Sequence, residues 1–191
     1  MKKLLSVAAL LGFAALPGFA QTVTWQVDPA HTASQFAVKH LGISTVRGQF
    51  NKTTGQIQLD EKDISKSQLE VTVDTTTLDT RIEARDKDVK GPNYLDVEKF
   101  PAMTFKSKQI TAAGPGKLKL TGDLTIHGVT KEVTFDVDGP SPAIKGPGGF
   151  PRRGASATTR INRKDFGING GGAFVGDDVD IIIDMEFIQK P

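Results

Sequence analysis

The sequence predicts an all-β domain of consecutive antiparallel strands carrying one short helix near residues 82–90. Runs of apolar/polar alternation recur along most of the chain, the pattern of strands with one buried face. Most connections between these runs are short, as antiparallel neighbours allow. Only the segment from Leu78 to Phe100 loses the period and becomes charged and rich in helix formers.

Taken in order, the chain opens with Lys2-Lys3, an apolar run from Leu4 to Leu16, a break at Pro17 and Gly18-Phe19-Ala20. This reads as a secretory signal peptide, residues 1–20, whose apolar part is too short to span a bilayer. Residues 21–191 form one domain. Its first strand sets Phe36, Val38 and His40 against Gln35, Ala37 and Lys39, and a turn follows at Leu41-Gly42. Val46, Gly48 and Phe50 then alternate with Arg47, Gln49 and Asn51; Ile57 and Leu59 follow, and Leu69, Val71 and Val73 oppose Glu70, Thr72 and Asp74. After Gly91-Pro92, a helix stop signal, come Met103 and Phe105, then Leu118 and Leu120. "GDLTIHGVTKEVTFDVDG" (122–139) is a pair of strands hinged at His127-Gly128-Val129. Residues 139–154, rich in Pro and Gly, are a loop. Ala157, Thr159 and Ile161 begin the next strand, and Val179, Ile181, Ile183, Met185 and Phe187 close the series.

Strands of this number, each with one apolar face, stack as a sandwich or close into a barrel. Closure removes exposed edges. A barrel of about eight strands is filled by its own side chains or holds one small ligand. Small residues on the inward face, Ala33, Gly48, Gly122, Ala157 and Thr159, suggest spare room.

Composition excludes several classes. Without cysteine there are no disulfides, thiol nucleophiles or cysteine-bound metals. The formal charge of +2 belongs to Lys2 and Lys3, so the domain itself is balanced and gives no electrostatic reason to bind nucleic acid. With one Trp and one Tyr, no aromatic girdle of a transmembrane barrel can form. Gln21 rather than Cys follows the leader, which excludes a lipoprotein anchor. The three histidines, 31, 40 and 127, show no metal-binding spacing, and no nucleophile elbow, P-loop or dinucleotide fingerprint is present. No metal, cofactor or catalytic residue is therefore assigned. Asp28 near His31 reads as a turn.

The stretches "DPAHTASQFAVKH" (28–40), "TRIEARDKDVKGPNYLDVEKFPAMTF" (80–105), "GDLTIHGVTKEVTFDVD" (122–138), "ATTRINRKDFGI" (157–168) and "VGDDVDIIIDMEF" (175–187) resemble, in order and spacing, the YceI-like family of bacterial secreted proteins. The resemblance covers essentially the whole chain after the leader. It implies an extended antiparallel β-barrel of about eight strands, lipocalin-like, that carries polyisoprenoids or other long amphiphiles. Two positions depart from the family pattern: Thr32, where Ser is frequent, and Ala155, where an aromatic often stands. The second would remove a ring near the barrel mouth and leaves the ligand's size open.

The expected function is a soluble periplasmic carrier holding a polyisoprenoid, an isoprenoid quinone precursor or a fatty-acid-like lipid, in envelope stress or isoprenoid transport. The alternatives are a non-catalytic β-sandwich that binds a partner or carbohydrate, and an enzyme acting on a lipid. A tail gains ~0.8 kcal/mol per methylene removed from water, so an apolar tunnel suffices to hold it. Phe36, Val38, Phe50, Val71, Phe105, Leu120, Leu124, Ile126, Phe135 and Ile161 are its candidate walls. A head group needs placed donors. His40, in register with Phe36 and Val38, and Arg81 and Arg85, four apart on the expected helix, are the candidates. His127 is expected in solvent, and Arg163 with Asp165 as a salt bridge tying down the last loop. Outward Ile182 and Ile188 suggest a homodimer. A membrane protein is the candidate acceptor of the cargo.

Overall fold

The structure, a computed structural model, describes residues 22–189, so the expected leader lies outside the described residues. The strands are β1 (Val23–Val27), β2 (Ala33–His40), β3 (Ser44–Phe50), β4 (Thr53–Leu59), β5 (Gln68–Asp74), β6 (Leu78–Asp79), β7 (Ala102–Gly114), β8 (Lys117–Ile126), β9 (Val129–Asp138), β10 (Ile144–Lys145), β11 (Pro151–Asn162) and β12 (Val175–Ile188). The helix α1 (Glu83–Lys90) stands between β6 and β7.

Pairing runs β11-β9-β8-β7-β5-β4-β1-β12 and returns from β12 to β11, closing a ring of eight antiparallel strands. Closure excludes the sandwich. The remaining segments continue strands already in the ring. β1 and β2 both pair with β12, at Gln26↔Ile188 and Val38↔Val179, and are two halves of one bent strand. β3 and β4 facing them, and β5 and β6 beyond, are bent in the same way.

The three bends lie side by side, and polar side chains replace the ladder bonds lost there. Asp28 caps the turn Pro29–His31, accepting from the Ala30 amide at 3.1 Å, and Asp74 does the same for Thr75–Thr77 through the Thr76 amide. Ser34 and Thr53, both buried, share a hydrogen bond of 2.8 Å, and the buried Thr75 hydroxyl donates to the Phe100 carbonyl at 2.8 Å. Thr32 Oγ1 is buried without a partner.

Trp25, Val27, Leu59 and Phe187 pack into a cluster that plugs one end of the barrel, with the Arg153 guanidinium 5.0 Å from the Trp25 ring centroid. Beside β9 the ladder to β11 is short, Thr158↔Asp136 to Ser156↔Asp138. The turn Arg163–Phe166 fills the gap above it, burying Phe166, which contributes about 2–3 kcal/mol by area.

Several expectations are corrected here. Gly48 and Gly122 do not open space: a Cβ at Gly48 would sit 2.5 Å from the Phe36 ring and one at Gly122 2.6 Å from the Phe105 ring. Each glycine is a seat for an aromatic ring. Ala33 also misses the inward face, where Ser34 is the buried neighbour. The loop at 139–154 ends sooner than its Pro and Gly content suggests, because β11 begins at Pro151 and pairs with β10. A proline is tolerated as the first residue of a strand. Ile188 is buried within the chain itself, which removes half the sequence argument for a dimer.

Candidate ligand-binding site

The barrel encloses a cavity of about 500 Å³, within the range of small-molecule sites. Its wall is aliphatic and aromatic. Phe36, Val38, Phe50, Val71, Phe105, Leu120, Leu124, Ile126, Phe135 and Ile161 all line it. Alternation brings them together from seven strands, and the bulge between Ser107 and Gln109 in β7 is where inward parity switches, from Phe105 to the buried Ile110. Leu69, Val73, Met103, Ile181, Ile183 and Met185 complete the wall. Phe105 and Phe135 meet edge to face, 5.3 Å between centroids.

The cavity is closed at one end and open at the other. Phe187 lines it and belongs to the Trp25 cluster, which forms the floor. The exposed lining residues Lys39, His40, Asp88 and Phe174 stand at the opposite end, where β2 finishes and β12 begins. Ala155 pairs with Met185 and lines the cavity near the floor. The missing aromatic therefore deepens the closed end rather than widening the mouth.

The charged lining gathers near the mouth, while Ser34 and Gln35 border the cavity farther in. Thr80, 1% exposed, is fixed by its amide donating to Asp86 Oδ1 at 2.7 Å. Arg85 donates through Nε to the Thr80 hydroxyl at 2.9 Å and through a terminal nitrogen to the Thr80 carbonyl at 2.7 Å, which holds its guanidinium at the cavity wall. His40 also lines the mouth and is exposed. Arg81 does not belong to this group. The helix begins at Glu83, so Arg81 and Arg85 share no helical face; Arg81 sits in the preceding turn at φ 68, exposed, its amide donating to Asp79.

Sequence reading missed Tyr94 and Asp88, both in the segment without strand periodicity. Tyr94 lines the cavity, and burial together with the nearby Asp88 carboxylate pushes its hydroxyl above the ordinary range. It therefore remains a neutral hydrogen-bond donor. Close backbone approach seats it: a Cβ at Gly170 would lie 2.3 Å from the Asn93 carbonyl, and one at Gly171 2.7 Å from the Tyr94 hydroxyl.

Arg163, 4% exposed, holds the loop behind that seat. It donates to the carbonyls of Ile168, Gly170, Val175 and Gly176 at 2.7–3.0 Å, with Asp177 at 3.4 Å, instead of pairing with Asp165. His127 departs from the solvent position expected for it, its ring packing edge-on against Phe100 at 4.5 Å. Away from the cavity, Asp28, His31 and Glu186 converge at the bend of β1 and β2. Arg152 donates to both carboxylates, at 2.6 and 3.0 Å, so the group is organised around a guanidinium.

Fold and cavity together define a single-mouthed antiparallel β-barrel with an apolar interior and a polar lip. A model of the YceI-like domain matches residues 25–187. A UPF0312 protein of Vibrio parahaemolyticus is 39% identical over 192 residues, covering 100% of both chains. Among solved structures, the YceI protein of Campylobacter jejuni superposes with a TM-score of 0.71 at 30% identity, over 80% of this chain and 90% of that one. A polyisoprenoid binding domain from Saccharophagus degradans, implicated in plant cell wall breakdown, gives 0.66 at 10% identity, over 88% and 99%. The chain belongs to the YceI-like family.

Proposed function

We propose that the protein is a soluble periplasmic carrier that holds one long-chain amphiphile, a polyisoprenoid or a lipid of similar shape, with no chemistry of its own. The observation that carries this reading is the apolar cavity whose charged lining residues, Lys39, Arg85, Asp88 and Arg163 among them, gather toward one end. A tail held in the wall contributes by area alone and needs no directional contact. Tyr94, Arg85 and His40 stand where a head group would rest, and the fold shared with a polyisoprenoid-binding domain supports the same class of ligand. Transfer of the cargo to a membrane protein, and a homodimer, remain parts of the proposal that the cavity does not require. Among the described residues no helix is long and apolar enough to cross a membrane.

Organic extraction of gently purified protein, followed by mass spectrometry, is expected to yield a stoichiometric long-chain amphiphile. Protein that carries none and takes up no added polyprenol would overturn the reading. Val71→Glu is expected to lower loading at least about tenfold, since an unpaired carboxylate in the wall costs several kcal/mol to bury. Leu120→Glu serves if that variant does not fold. Full loading of a folded variant would show that the tail lies elsewhere.

A further inference from the structure

We infer that the lip of the barrel docks on a lipid bilayer surface, with the exposed side chains of Leu41, Ile43, Ile82 and Phe174 embedded in it; the inference rests on the carrier reading. These four are 50, 83, 52 and 64% exposed; Leu41, Ile43 and Phe174 flank the mouth, and Ile82 directly precedes the helix whose Arg85 and Asp88 line it. The Leu41 amide donates to the Phe174 carbonyl at 2.8 Å, which joins their two segments directly. Phe174 is at once cavity wall and exposed surface, so the apolar lining continues over the lip without a break. At the plugged end the exposed Ile144 and Phe150 have no such connection to the cavity.

The turn supplies a second observation. The Ile43 amide closes it on the His40 carbonyl at 3.1 Å, with Leu41 and Gly42 at φ 54 and 71. Asn or Gly takes the first of these positions more easily than Leu. Leu41 is half exposed and gains little packing there, so an apolar tip stands against local turn preference.

A bilayer is the occupant these features fit. Separate apolar tips on short loops can sink into a fluid surface, whereas a protein partner would need a contiguous, shape-matched face. The charged residues at this end are of both signs, Lys39 and Arg85 beside Asp88, so attraction to anionic lipid is not the driving force. The cargo of such a cavity partitions into bilayers, and a lip seated there moves it without exposing the tail to water.

The test is flotation of the purified, delipidated protein with phosphatidylcholine vesicles, comparing wild type with L41N/I43S. Neither residue lines the cavity, and Asn suits the turn. Wild type is expected to float at low and high salt, and the variant about tenfold less. Binding of cis-parinaric acid in vesicle-free solution should remain within about twofold. Wild type that stays with the soluble fraction, or a variant that floats equally well, would overturn the docking surface. So would a dimer in sedimentation that the same substitutions break, because the lip would then be covered by a second copy. Flotation by protein that takes up neither cis-parinaric acid nor added polyprenol would leave the docking surface standing and remove the carrier reading instead.

Discussion

Ala155 shows how one side chain sets the reach of the cavity. It lies beside Met185 above the floor cluster, where a larger residue would occupy part of the cavity. Ala155→Phe is expected to stabilise the lipid-free protein by about 1 kcal/mol through cavity filling. The same substitution should shift extracted lipids to shorter chains, read by denaturant unfolding and mass spectrometry respectively. Identity at this position was legible in the sequence, but its depth was not, because depth depends on which way β11 runs relative to the mouth. Gly48 and Gly122 mislead for a related reason: Phe36, directly opposite Gly48, and Phe105, diagonal to Gly122, lay rings over them. A glycine in a strand marks close approach as readily as empty space.

At the level of the element, the bent strand formed by β1 and β2 depends on Asp28. Hydrogen bonds from Arg152 and His31 hold its carboxyl at about 2, below the ordinary 3.8. Because the folded value is the lower one, the stabilisation is fully present above about pH 4 and is lost as pH falls toward 2. Its size is on the order of 1–2 kcal/mol after allowance for the side chain's partial exposure. Urea unfolding across that window should show the loss in wild type and a flatter profile in Asp28→Asn. A wild-type profile as flat as the variant's would mean that the pair does not hold the bend. The bends were hidden in the sequence, since Thr53 and Thr75 look like outward polar residues although both are buried. The helix was legible by its charge and its Gly91 stop, yet Ile82 rather than a helical residue precedes Glu83, and this displaced Arg81 from the candidate site.

For the molecule as a whole, the closed ring was readable from alternation because each strand has one wet and one dry face. The site was readable only in its apolar part. Its polar lip draws on residues 80–94 and 163–176, where no period tells inward from outward, and Tyr94 is seated by glycine contacts distant in sequence. A protein that folds around an open lumen should respond globally to cargo. At about 100 times its dissociation constant, a polyprenol is expected to add roughly 2.7 kcal/mol. That is about 5–10 °C in melting temperature for a domain of this size, measurable by circular dichroism. An unchanged melting curve would argue that the lumen stays empty. The plugged floor has one more result. A cargo of the proposed kind would have to enter such a vessel greasy end first and would leave it head foremost, already oriented.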